Sequence, residues 1–172
     1  TYTGTTTVQN GTLLVDTASN PFAPTDPAYL KFYGVSGPLV IGDNIGAAET
    51  ADVQLGNGVA SGSVNEGIKS TVPVTINKDG FLKLNNNPQT IGTLTMIGGR
   101  IDGGNSYLFL DAANTAVAIN PTATSGPSVI DGSLSLNFHR LAGVDTLDGQ
   151  FRTFNVGYDA ANIATGDLII NA

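Results

Sequence analysis

The chain has no cysteine and no tryptophan, and only one histidine and one methionine. Without thiols there is no cysteine nucleophile, no thiolate metal ligand and no disulfide, so its 172 residues must be held by a core. That absence also suits a bacterial protein exported unfolded. Charge is sparse as well: Asp, Glu, Lys and Arg make up 12%, about half the usual share. Seven scattered basic residues and a net charge of −7 argue against nucleic acid and against docking on anionic lipid. No apolar run approaches the roughly 18 residues of a membrane-spanning helix. No basic segment followed by an apolar one reads as an export signal, so any such signal is expected outside these residues. Glu is nearly missing, with 2 against 12 Asp, and this bias favours turns over helices.

What the chain does have is alternation. Runs such as "GTLLV", "GPLVIG", "ADVQLG", "TVPVTI", "GFLKLN", "TIGTLTMI", "SYLFLDA", "TAVAI", "PSVIDGSLSLNF", "RTFNV" and "GDLIINA" are short, of period two, and bounded by Gly, Asn, Asp or Pro. No window carries a helical apolar stripe. The pattern predicts an all-β chain whose Val72, Val74, Ile76, Leu82, Leu84, Leu94, Met96, Leu108 and Leu110 point into one core.

Two all-β architectures compete for it. A β-solenoid stacks strands in parallel register, coil upon coil, with recurrence at roughly 20–25 residues. An antiparallel β-sandwich is the runner-up, and Asn10-Gly11, Asp79-Gly80 and Asp102-Gly103 would serve as its hairpin turns. Asn20 to Pro38 holds four of the eight prolines together with Phe22, Tyr29, Phe32 and Tyr33, and is expected to be a loop protruding from the coil. Asn120 to Pro127 is expected to be a smaller excursion.

"TYTGTTTVQNGTLLV", Thr1 to Val15, resembles the core of the autotransporter-associated β-strand repeat, also called the passenger-associated transport repeat. Asn85 to Gly99 and Arg152 to Ala172 resemble the runs around that motif in large bacterial surface proteins. The resemblance touches roughly a third of the chain. It implies a right-handed parallel β-helix, residues 1–172 being one segment of a longer repetitive, surface-displayed or secreted bacterial protein. It implies no particular activity.

Candidate chemistry is thin. His139, in "NFHRLAGVDTLDGQFR" with Arg140, Asp145, Asp148 and Arg152, reads either as an acid/base or sugar-binding cluster or as a corner loop with solvated charges; the corner loop is favoured, since a lone His lacks companion spacing. Asp102 to Asn105 could offer oxygens to calcium, but the repeated calcium code of solenoids is absent. Asn85, Asn86 and Asn87 suggest a stacked amide ladder or a turn, the ladder being favoured in a solenoid. No nucleophile elbow, phosphate loop or dinucleotide fingerprint occurs. The sequence therefore names no catalytic, cofactor-binding or metal residue.

The reading is a structural or adhesive module and not an enzyme, with no cofactor. Its expected partners are neighbouring repeats, further copies stacked head to tail, or a host or cell-surface glycan or protein. A polysaccharide-acting β-helix and a passive spacer are the alternatives.

Overall fold

The alternating runs become strands in the computed structural model, which describes residues 2–16, 34–56, 67–111, 116–120, 122, 125–135, 138–141, 144–147, 153–157 and 167–171. In chain order the strands are β1 (Thr6–Val8), β2 (Gly11–Val15), β3 (Leu39–Ile41), β4 (Ala51–Leu55), β5 (Val74–Lys83), β6 (Gln89–Ile91), β7 (Leu94–Leu110), β8 (Ala116–Ile119), β9 (Ser128–Ser135), β10 (Phe138–Leu141), β11 (Val144–Leu147), β12 (Thr153–Val156) and β13 (Leu168–Asn171). The described residues contain no helix.

Pairing is parallel in the main sheet, which has 11 strands; β10 and β11 pair apart from it, antiparallel. Two ladders run through the sheet. In the first, Thr6 pairs with Leu39, Leu39 with Val74, Val74 with Leu94, Leu94 with Val117, and Val117 with Phe154. In the second, Leu13 pairs with Val53, Val53 with Leu82, Leu82 with Ile101, Ile101 with Ile130, and Ile130 with Ile170. A shorter third ladder joins Gln89 to Leu108 and Leu108 to Leu134, with an isolated parallel bridge between Val35 and Ile68. Each pass of the chain that enters the first ladder goes on to the second.

All nine residues expected in the core are buried, and they form one cluster with Leu39, Ile41, Val53, Ile101, Ile119 and Ile130. Each such side chain contributes about 1.5–3 kcal/mol on burial, and the rows make the contribution cumulative from pass to pass. Near-expected spacing occurs in the middle of the chain, at Val74–Leu94, Phe81–Arg100, Gln89–Leu108 and Leu94–Val117. Elsewhere, as between Gly11 and Ala51 or Ser128 and Leu168, longer connections intervene between partners.

The hairpins of the sandwich reading do not form. Asn10-Gly11 connects β1 to β2, yet each pairs in parallel with a later strand, β3 and β4 respectively. Asp79-Gly80 lies inside β5 and Asp102-Gly103 inside β7, both at shifts of register where the strand turns from one ladder to the next. These Gly-containing pairs bend a strand without reversing it. Earlier in β7, where the strand passes from the first ladder to the second, Gly98 and Gly99 have φ of 76° and 73°, a region that L side chains avoid.

The asparagine run is a turn and not an amide ladder. Asn85 and Asn86 have left-handed φ of 49° and 63°, which Asn tolerates better than most residues. The Asn85 and Asn87 amides donate to the carbonyls of Leu55 (2.7 Å) and Gly56 (2.6 Å), so they tie the corner to the preceding pass through its backbone.

The expected protruding loop has a later boundary than its structure allows. Val35 is buried and bridges Ile68, so the stretch expected to protrude already contributes to the core at Val35. Phe22, Tyr29, Phe32 and Tyr33 lie outside the described residues. In the smaller excursion, Thr122 and Ser125 close a turn by reciprocal bonds of 2.8 and 2.9 Å.

Candidate functional site

Because side chains alternate, residues flanking the inward row Val53–Leu82–Ile101–Ile130 point away from the core. Asp52, Phe81 and Arg100 fall in one outward row, and Gln54, Lys83, Asp102, Asp131 and Asn171 in the next. Parallel register places residues from five different strands into a single polar grouping.

Its contacts run from pass to pass. Lys83 Nζ lies 2.8 Å from Asp52 Oδ2, and Gln54 donates to the same oxygen at 2.6 Å. Phe81 is buried but stands outside the core cluster. It is flanked instead by two cations, with Lys83 Nζ 4.5 Å and Arg100 Cζ 5.2 Å from its ring centre. Arg100 Nε donates to Asp131 Oδ2 at 2.7 Å and Nη1 to Glu49 Oε1 at 3.1 Å. The Asn171 amide closes the row on Asp131 Oδ1 at 2.7 Å.

Electrostatics follow from this geometry. Glu49, and then Asp131, hold the Arg100 guanidinium above its ordinary value against the opposing effect of burial. Asp52 is the strained member: its side chain is 10% exposed, and its buried Oδ1 has no hydrogen-bond partner. Only one of its oxygens is compensated, which makes Lys83 the counter-ion that keeps it in place.

Glu49 is presented by a loop that a second carboxylate builds. Asp79 is fully buried at the bend of β5, where its Oδ1 accepts from the Asn44 N–H at 2.9 Å and its Oδ2 from the Asp43 N–H at 3.2 Å. Burial pushes this carboxyl up, but the N–H groups of Asn44 and Asp43 outweigh it and hold the group below the ordinary carboxylate value. Gly42 has φ of 87°, and a Cβ there would collide with Asp79 Oδ1. The Asn77 amide donates to the Gly42 carbonyl at 2.7 Å, and the Lys78 N–H donates to Asn44 Oδ1 at 3.1 Å.

Gln89 performs a comparable task in the third ladder. Fully buried, it accepts from the Ile68 N–H at 3.2 Å and donates to the Ile68 carbonyl at 2.7 Å. One side-chain amide thus takes the place of a neighbouring strand's backbone.

The residues singled out in the sequence are arranged otherwise. His139 and Arg140 sit on β10, paired in antiparallel register with Thr146 and Asp145 on β11. The expected corner loop is therefore a hairpin over these residues; Asp148 and Arg152 lie outside the described residues. Asp102 Oδ1 accepts from the Gly104 N–H at 2.8 Å, and the Asn105 N–H donates to Asn86 Oδ1 at 2.8 Å. That turn is closed by Asp102 and tied to the Asn86 corner. Among the described residues no three His, Asp or Glu side chains gather as metal ligands would. Tyr107, 51% exposed, tilts against the buried Phe109 with ring centres 5.8 Å apart.

The sequence reading missed Asp52, Asp79 and Gln89. For Asp79 and Gln89 the partner lies a pass away, and no local pattern marks them. Most of the arrangement joins passes: Lys83 with Asp52, Arg100 with Glu49 and Asp131, and Asp79 with the Asp43 and Asn44 N–H groups each bond from one pass to another. No family model matches this chain, and neither a curated protein nor a solved structure matches it.

Proposed function

We propose that the chain is a length of right-handed parallel β-helix, acting as a structural and adhesive module of an exported bacterial surface protein. The observation that carries the reading is the pairing order: successive passes add a strand to the first ladder and then to the second, over one continuous core. Coils of a solenoid would pair in this way. The outward groups support the same reading, since Lys83, Arg100, Asn85 and Asn87 bond to residues of adjoining passes. The resemblance of Thr1 to Val15 to the passenger repeat points the same way, and β1 and β2 fall on its "TTV" and "GTLLV". Placement at the cell surface or in the medium rests on that resemblance.

Incubation with acidic and neutral polysaccharides tests the function, with retention on the polymer and release of reducing or unsaturated ends read together. A structural or adhesive module leaves every polymer intact. Released ends would replace this reading with that of a polysaccharide-acting enzyme.

A further inference from the structure

The chain enters and leaves the corner between β3 and β4 on bonds that belong to the first two ladders. The Gly42 N–H donates to the Val8 carbonyl at 2.8 Å, and the Thr50 carbonyl accepts from the Gly11 N–H at 2.8 Å. Between these bonds lie Asp43 to Glu49, none of which enters the apolar core cluster. Asn44, Ile45, Ala47, Ala48 and Glu49 are exposed. Ile41 and Ala51, on either side, are fully buried and keep register with Ile76 and Gly80. Core and ladders therefore close without the loop.

Its shape is imposed by later passes. Asp79 lies beneath it: the N–H groups of Asp43 and Asn44 bond its two oxygens, and a Cβ on Gly46 would stand 3.3 Å from Oδ2. Asn77 and the Lys78 N–H hold the loop at Gly42 and Asn44, and Glu49 reaches Arg100 at its far end. The backbone is left-handed at Asn44 (67°) and at Glu49 (62°), a conformation that Glu adopts only where its surroundings impose it.

We infer that residues 43–49 form a latch that opens as a unit when Asp79 loses its charge, while the ladders on either side stay paired. An exposed segment outside the core opens at a lower free energy than the whole fold. N–H groups bond a carboxylate more strongly than a neutral acceptor, so neutralising Asp79 weakens both bonds that hold the loop down. Opening parts Glu49 from Arg100, which keeps Asp131, and uncovers Asp79. Three sources of charge surround that carboxyl. Asp43 brings its side chain from the loop, Lys78 precedes it on β5, and Arg100 and Glu49 pair beyond; the next pass presents Gly98 and Gly99, which bring none. Burial pushes the Asp79 carboxyl up, yet the two N–H groups hold it below 3.8. The latch is therefore closed above that value and opens as the pH falls through the folded-state titration.

Hydrogen exchange read amide by amide on the full chain is the test. At neutral pH the Asp43 and Asn44 amides are expected to be protected in the wild type. In Asp79→Asn they should lose about ten- to a hundredfold of that protection, the share of a bond to a charged acceptor. Leu39, Gly42 and Val74, whose N–H groups bond within the ladders, should stay protected in the same variant. Acidifying the wild type below 3.8 is expected to give the same order, loop amides first and ladder amides later. Loss of both sets together, in the variant or in acid, overturns the inference, as does undiminished protection of Asp43 and Asn44 in Asp79→Asn. Glu49→Gln removes the outer tie and leaves Asp79 in place, so the two loop amides should remain protected. Release as complete as in Asp79→Asn would make Arg100 the latch and overturn the assignment to Asp79.

Discussion

The backbone N–H of Asn44 donates to the carboxylate of Asp79 at 2.9 Å, a bond spanning 35 residues of sequence and joining two successive passes. With the Asp43 N–H on its other oxygen, Asp79 fixes the loop that carries Glu49 to Arg100. A hydrogen bond to a charged group contributes about 1.5–3 kcal/mol. Asp79→Asn, which keeps the shape but loses the charge and one acceptor, is expected to destabilise the chain by about that amount, measured by denaturant unfolding.

The same carboxylate sets a pH dependence. Its folded-state titration lies below the ordinary 3.8, so its contribution is complete above that value and is lost as the pH falls through the folded-state titration. The wild-type chain is expected to lose stability on acidification below 3.8 more steeply than Asp79→Asn, and the two curves should converge at the acid end. Parallel unfolding curves across that range would contradict the assignment.

Lys83 compensates one oxygen of a carboxylate whose other oxygen is buried without a partner. Lys83→Met is expected to destabilise the chain, on the order of 1–3 kcal/mol, by leaving Asp52 uncompensated. The double variant Asp52→Leu, Lys83→Met should recover most of that loss, because an apolar pair needs no counter-ion. A double-mutant cycle with additive effects would show that the pair is not coupled.

Central core rows and the β10–β11 hairpin should differ sharply in sensitivity. Leu94 is 1% exposed and lies mid-row between Val74 and Val117, so Leu94→Asp is expected to abolish folding. His139→Ala retains the backbone pairing of β10 with β11 and should shift the melting temperature little. A larger loss from His139→Ala than from Leu94→Asp would reverse the assignment of the core.

Gln89 is fully buried, and Gln89→Leu should cost more than its place beside a turn would suggest. The substitution strips both backbone groups of Ile68 of their partners, at about 1–3 kcal/mol for each group left unsatisfied. Hydrogen exchange at the Ile68 amide is the measurement, with faster exchange in the variant expected.

Alternation was enough to place Val72, Val74, Ile76, Leu82, Leu84, Leu94, Met96, Leu108 and Leu110, since a period of two assigns each residue to a face whatever the strand's partner. It could not assign partners. Asp79-Gly80 and Asp102-Gly103 have the composition of hairpin turns, and only tertiary register shows that the chain bends there and continues. Asn85–Asn87 misled for a similar reason: a carbonyl of the preceding pass offered their amides a better acceptor than one another. At His139 the charges broke the apolar rhythm, which concealed a hairpin whose register is set by backbone pairing. The outward charged grouping was illegible because Asp52, Lys83, Arg100 and Asp131 become neighbours only once four strands are stacked.

The most direct test of the account is an experimental density map, by crystallography, traced through residues 34–56 and 67–111. The account predicts that Leu39, Val74 and Leu94 lie one above the next at about 4.8 Å, with the chain turning always in the right-handed sense between them. Connections that alternate in sense, or Val74 and Leu94 on antiparallel strands, would contradict it.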